Sequence, residues 1–448
     1  MASAADTLAT SINLAKFSKA TDLKKRLWFT LGALIVFRLL SYVPLPGIDP
    51  TGLAALAERT QGGVLDFFNT FSGGALERAS LIALGVMPYI TASIVVQLAT
   101  SLSPTLAAIK KEGESGRKKL NQYTRFGTVG LTAVQGWFIA VGMEAGGAVV
   151  DPGTLFRITA VVSLIGGTMF LMWLGEQITS RGIGNGISLI IMAGIVAHLP
   201  TTLVQLFEGG RTGTLSPLTL AGVIVAVAGL VLFICFMERA QRRILIQYPK
   251  RQTQRGMQAE RSHLPLKLNT AGVIPPIFAS SLLLLPLTVT QFAGQGVAGE
   301  SALGDAVISI NQYLQHGSPI YMALYGAGII FFSFFYTAVV FNPEETADNL
   351  KRYGGFIPGI RPGKNTETYF DYVLTRITVV GAAYLTIICL LPEYLVSALS
   401  IPFYLGGTSL LIVVNVTMDT VTQIQSHLLA HQYGDLIKKA KLKGGRIR

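Results

Sequence analysis

Ten stretches of this sequence are long, apolar and nearly free of charge, and a chain so written must fold across a bilayer. A spanning helix needs roughly 17–25 mostly apolar residues. The candidates are residues 27–43, 79–98, 123–143, 158–174, 187–206, 218–237, 271–287, 320–340, 377–391 and 404–418. Glycines and Gln135 dilute the third, and Pro275, Pro276 and Pro286 interrupt the seventh. Only 13% of the 448 residues are charged, against about 25% in an ordinary soluble domain, and the mean hydropathy is +0.51. The expected fold class is an all-α polytopic membrane protein with ten transmembrane helices.

A net charge of +12 would suit a nucleic-acid binder, but the positions of the charges argue otherwise. Lys16, Lys19, Lys24, Lys25 and Arg26 crowd the N-terminal tail, and six more basic residues run from Lys438 to Arg448. The loops after spans two, six and eight carry most of the others, whereas residues 291–319 hold neither lysine nor arginine. About 31 of the 36 basic residues thus fall on one side, which the positive-inside rule assigns to the cytoplasm. The charge is topological, and no specific nucleic-acid site is needed to explain it. Both termini are expected to be cytoplasmic. No cleavable signal precedes the first span, which serves as its own insertion signal.

The spans divide at a short outer loop into two sets of five. Five is odd, so the halves would lie in opposite orientation, as in inverted-repeat transport proteins. The expected organisation is a tail (1–26), a first half (27–207) containing a plug (64–78), a hinge loop (208–217), a second half (218–423) and a tail (424–448). Cytoplasmic loops 239–269 and 342–376 are long and basic. They read either as solvated loops or as docking surfaces for a large cytosolic partner. The run FIPGIRPGKN (356–365) favours docking, because its glycines and prolines would present Arg361 on a fixed turn.

Residues 72–98 make a peculiar span. Gly73 and Gly74 precede it, Glu77 and Arg78 sit at its mouth, and Pro88 breaks it. Thr91, Ser93 and Gln97 add polarity to its second half. Such segments persist at membrane depth only where protein or water surrounds them. Broken spans at matching positions, here the second and seventh, point to a transport pathway. Near the breaks stand Val86, Ile90 and Ile277, which would exclude ions by dewetting while accepting varied side chains; ordinary packing in kinked helices is the plainer reading.

Other chemistry is sparse. No P-loop, nucleophile elbow or metal-spaced histidines occur. The GIGNG run (182–186) resembles a dinucleotide loop but precedes a span, so it reads as a helix-entry turn. Cys235 and Cys389 lie in apolar runs and read as buried thiols. Charges within or beside the spans are few: Arg38, Arg157, Glu176 and Asp419. Arg38 is within snorkelling reach of an interface. No carboxylate is expected at mid-span, which disfavours an ion-coupled pump.

Specific runs carry a resemblance: LGALIVFR (31–38), SLIALGVMPYITASIVVQL (80–98), MWLGEQITSRGIGNGISLII (172–191), HLPLKLN (263–269), FNPEETADNLK (341–351), GIRPG (359–363), GGTSLLIVV (406–414) and IKKAKLKGG (437–445). Together these closely resemble the SecY family, channel subunits of the bacterial protein-conducting translocon, over nearly the whole chain. The resemblance implies two inverted five-helix halves around a central pore. It implies a pore ring at Val86, Ile90, Ile187, Ile191, Ile277 and Ile412, with Val86 smaller than the isoleucine expected there. It implies a plug including Phe67, Phe68, Gly73 and Gly74, and a lateral gate between spans two and three and spans seven and eight. Thr91, Gln97, Ser280 and Ser281 would be gate residues, and Arg255 and Arg361 docking tips; Gly256 stands where relatives often carry a second basic residue.

The partners so implied are the small membrane subunits SecE and SecG, the motor ATPase SecA, the ribosome, signal peptides, nascent chains and membrane lipids. No cofactor and no bond-breaking step are expected, and the setting is a bacterial inner membrane. Two other classes compete. A secondary transporter of small solutes would need a polar cluster at mid-membrane, and a scaffold without a pore would need no broken helices.

Overall fold

The computed structural model describes residues 21–53, 69, 71–213, 216–248, 251–253, 256–258, 261–283, 318–399 and 406–444. Its helices, in chain order, are α1 (Thr21–Leu40), α2 (Met87–Leu102), α3 (Pro104–Lys111), α4 (Glu114–Ala145), α5 (Thr154–Arg181), α6 (Gly186–Thr212) and α7 (Pro217–Arg239). Strands β1 (Gln241–Gln247), β2 (Arg251–Thr253), β3 (Gly256–Gln258) and β4 (Arg261–Lys267) follow. The rest are α8 (Ile274–Leu283), α9 (Pro319–Val340), α10 (Pro343–Arg352), α11 (Lys364–Leu399) and α12 (Gly407–Gly444).

Among the described residues six helices are long and apolar enough to cross a membrane: α4, α5, α6, α7, the run beginning with α9, and α11. The pair α2 and α3, bent by 101°, makes a seventh if it counts as one span. Several boundaries move from their expected places. The diluted third span lies in a 32-residue helix, α4, whose first turns are polar. Span two is not a helix kinked in its middle: α2 starts at Met87, so Pro88 falls in its first turn, where a missing N–H costs nothing. Pro275 and Pro276 likewise sit in the first turn of α8. The chain is mostly helical, as expected, with two short antiparallel strand pairs between α7 and α8 that the sequence reading did not foresee.

The chain forms two compact units. One comprises Met1–Tyr89, Thr128–His198 and Val416–Arg448; the other comprises Ile90–Gly127 and Leu199–Asn415. The first unit is knit at the GIGNG run. Arg26 Nη1 donates to the Gly182 carbonyl (3.3 Å), Ile183 N–H to Thr30 Oγ1 (3.1 Å), and Gly184 N–H to Gln423 Oε1 (2.9 Å). Gly186 N–H donates to Thr179 Oγ1 (2.9 Å) and opens α6. The run is therefore a helix-entry turn, and it ties the end of α5 to α1 and to the middle of α12 over Leu23 and Ile183. At another edge of this unit Arg157 Nε and Nη2 both reach Glu144 Oε2 at 2.7 Å, and Gly153 N–H donates to Oε1 (2.8 Å).

In the second unit the two basic loops fold as one platform. Strands β1 and β4 pair antiparallel from Gln241↔Lys267 to Gln247↔Arg261, and Gln247 also exchanges both backbone hydrogen bonds with Phe356 (2.9 Å each). Beneath them lie Ile244, Leu266, Ala347, Ile357, Phe370, Val373 and Ile377. Helix α10 is strongly amphipathic and begins at Asn342, whose side chain accepts from the N–H groups of Glu344 and Glu345. Those acids at its start and Lys351 and Arg352 at its end both complement the helix dipole. Two loops distant in sequence thus share one apolar core.

Candidate functional site

The candidate plug ends in a run, residues 71–86, that is non-helical from Gly73 onward and packs inside the first unit. Gly73 and Gly74 take φ of +72° and +81°, a region other residues enter at a cost. Ala79 also has positive φ, +42°. The run is held on several sides. Arg38 Nη1 donates to the Gly73 carbonyl at 2.6 Å, and its guanidinium stands over the Tyr42 ring at 5.2 Å. The Arg78 guanidinium lies 4.4 Å from the same ring. Asn69 Nδ2 donates to Glu77 Oε2 (3.0 Å), and Asn69 Oδ1 accepts from Glu77 N–H (3.1 Å). Leu45 N–H donates to Ala79 O and Leu81 N–H to Val43 O.

Two close approaches seat the run against helices. A side chain at Gly194 of α6 would strike the Phe71 carbonyl at 2.6 Å, and one at Gly167 of α5 would overlap the Leu81 carbonyl. Backbone therefore meets helix without intervening side chains. Arg38, expected from its span position to snorkel, is instead a donor to this run. Phe67 and Phe68 lie outside the described residues.

The six ring candidates divide between the units: Val86, Ile187 and Ile191 in the first, Ile90, Ile277 and Ile412 in the second. All are buried except Ile187, which is half-buried. The four gate candidates belong to the second unit. Ser280 and Ser281 are buried and both donate to the Ile277 carbonyl (2.9 and 2.7 Å). Thr91 is buried and Gln97 half-buried, its Nε2 donating to Ser93 Oγ at 3.2 Å. Of the docking candidates, Arg361 is exposed on a turn between Gly359 (φ +84°) and Gly363 (φ +107°), with its carbonyl accepting from Thr366 Oγ1. Arg255 lies outside the described residues.

Sequence reasoning missed Asn69, the hub of the run. It also passed over Thr128 and Thr132 and read Gln135 only as diluting its span, although all three are buried on α4. Their spacing of four and then three residues was the available signal, since it places them on one helical face. Gln135 Oε1 is buried with no hydrogen-bond partner among the described residues. Cys235 and Cys389 are free thiols, and no metal-binding cluster exists among the described residues.

A multi-spanning helical bundle with a buried non-helical run and a folded basic platform has solved counterparts. One, described as the plug domain of the SecY protein stabilising the closed state of the translocation channel and maintaining a membrane seal, is similar with a TM-score of 0.63 at 18% identity, covering 90% of this chain and 92% of that one. Sec61 in the canine ribosome-channel complex from the endoplasmic reticulum is similar with a TM-score of 0.58 at 17% identity, over 90% and 92%. The fold is that of a protein-conducting channel. The family model for SecY matches residues 80–421. The protein translocase subunit SecY of Escherichia coli strain K12 is 56% identical over 428 residues, 94% of this chain and 96% of that protein. The chain belongs to the SecY family.

Proposed function

We propose that this chain is a protein-conducting channel that passes unfolded preproteins across a bacterial inner membrane and releases apolar segments sideways into it. The observation that carries the reading is the run 71–86, non-helical from Gly73 onward, buried over most of its length and fastened by side-chain hydrogen bonds, in a chain of the SecY family. A removable stopper needs such an attachment. The six helices, the bent pair, α1, α8 and α12 together supply ten spans in two inverted halves, with both termini cytoplasmic. Val86, Ile90, Ile187, Ile191, Ile277 and Ile412 form the aliphatic ring. The plug, residues 64–78, closes it from the outer side, and Thr91, Gln97, Ser280 and Ser281 belong to the lateral gate.

The drive comes from outside the chain. SecA or the ribosome docks on the platform at Arg255 and Arg361, and SecE and SecG complete the complex; the likeness to a ribosome-bound Sec61 supports a large cytosolic partner. A signal helix entering the gate brings roughly −0.5 kcal/mol per leucine, so about ten leucines supply ~5 kcal/mol. That magnitude swings a two-state element from about 1% to 99% open. A hydrophilic chain gains nothing from lipid and continues through the ring. The competing solute transporter finds no support among the relatives or the solved counterparts.

The test is ion leak. Ile90→Ser and Ile191→Ser together should raise the substrate-free conductance of reconstituted channels, because a wetted constriction no longer excludes ions. Unchanged conductance would remove these residues from the seal.

A further inference from the structure

The platform leads into span seven through a short connection in which Asn269 and Ala271 are buried. Strand β4 ends at Lys267, and Leu268 N–H donates to the Ala240 carbonyl (2.9 Å) just past the end of α7. Asn269 then acts as a three-way clasp. Its Nδ2 donates to Glu238 Oε1 at 2.7 Å and to the Gly272 carbonyl at 3.1 Å, while its Oδ1 accepts from Gly272 N–H at 3.1 Å. Glu238 and Asn269 are both buried, although Glu238 lies in a helix, α7, in which Ile234 alone is also buried and the other residues are exposed or half-buried. Helix α11 presses on the same point: a side chain at Gly381 would lie 2.9 Å from the Leu268 carbonyl. Two residues past Gly272, α8 begins.

A buried carboxylate is costly unless hydrogen-bonded, so its presence on a lipid-grade helix calls for a reason. Fastening the end of α7 would need only an apolar side chain. The carboxylate instead selects one amide orientation, and that orientation fixes the turn from which α8 springs. We propose that Glu238 and Asn269 are positioning residues that make α8 rigidly continuous with the platform, so that a load applied there is delivered to the start of span seven. The inference rests on the reading of the platform as the motor's docking surface.

The experiment separates motor binding from motor-driven transport in the reconstituted complex, per channel recovered. Asn269→Asp keeps the acceptor for Gly272 N–H but loses both donations. It should bind the motor ATPase as the parent does and translocate a preprotein about tenfold more slowly. Adding Glu238→Gln puts a donor opposite the new carboxylate, and this double variant should regain at least half of the parent rate; Glu238→Gln alone retains an acceptor and should stay near the parent. The proposal is overturned if Asn269→Asp transports normally, if it loses motor binding together with transport, or if the double variant is no faster than the single. Arg361→Glu is the control for the docking reading: undiminished motor binding there sinks that reading and leaves the clasp to be judged by the rescue alone.

Discussion

Replacing Arg38 with methionine should release the run 71–86 by a calculable amount. Methionine keeps the aliphatic bulk and removes three things: the 2.6 Å donation to the Gly73 carbonyl, an exposed 3.3 Å donation to the Tyr42 hydroxyl, and the cation over the Tyr42 ring. A hydrogen bond from a charged group contributes about 1.5–3 kcal/mol and an exposed cation–π contact about 0.5–1. Arg38 is half-buried and shares the Tyr42 ring with Arg78, whose repulsion is relieved by the change, so a net loss of about 1.5 kcal/mol is expected. That multiplies the population of channels with the run detached by about 12. The assay is thiol labelling of Ser72→Cys, a position 3% exposed, in a chain where Cys235→Ser and Cys389→Ala remove the native thiols. When reattachment outpaces labelling, the rate follows the detached population, so it should rise about tenfold. Arg38→Lys, which can still reach one acceptor, should fall between. A labelling rate within about twofold of the parent would refute the view that Arg38 fastens the run.

Three further outcomes rest on the same geometry. Gly167→Ala pushes a methyl into the Leu81 carbonyl and should lower the yield of folded channel, or its thermal midpoint, far more than Gly166→Ala, which meets nothing within 4 Å; equal effects would disprove the close seating. Ala79→Gly relieves a positive φ and should slow Ser72→Cys labelling up to about fivefold, since the strain is worth about 1 kcal/mol. Arg157→Met strands the Glu144 carboxylate, only 8% exposed, and should cost about 2–3 kcal/mol; adding Glu144→Gln should recover part of the lost thermal stability.

Much of the membrane plan was legible along the chain because bilayer thickness imposes a run length that needs no tertiary partner. The positions of lysine and arginine set the expected orientation in the same way. The GIGNG run could be separated from a nucleotide loop by the apolar span directly after it, and the structure shows it opening α6. Span two was legible as abnormal but not in its form. Pro88 could mark either a kink or a first turn, and which applies depends on whether the preceding residues find non-helical partners. They do, at Arg38, Asn69, Val43 and Leu45.

The functional side chains show the same division. Arg38 could be placed near the end of its span, yet nothing local says that its guanidinium reaches a carbonyl 35 residues away. Asn69 carried no signal because one asparagine in a polar stretch is unremarkable until its neighbours are known. The two basic loops read as separate segments, whether solvated or docking surfaces, since each alone has too few apolar residues to bury. Ile244, Ala347 and Phe370 acquire meaning only when a hairpin and an amphipathic helix close over them.

The sequence by itself determined that this chain crosses a membrane many times and which family it belongs to. Those are properties of runs and counts, decided by local transfer of side chains between water and hydrocarbon. Only the tertiary structure decided that residues 73–86 are not helical, that two distant loops form one platform, and that Asn269 joins that platform to α8. Each depends on hydrogen bonds between groups remote in sequence, whose worth is set by burial, and burial exists only once the chain is folded.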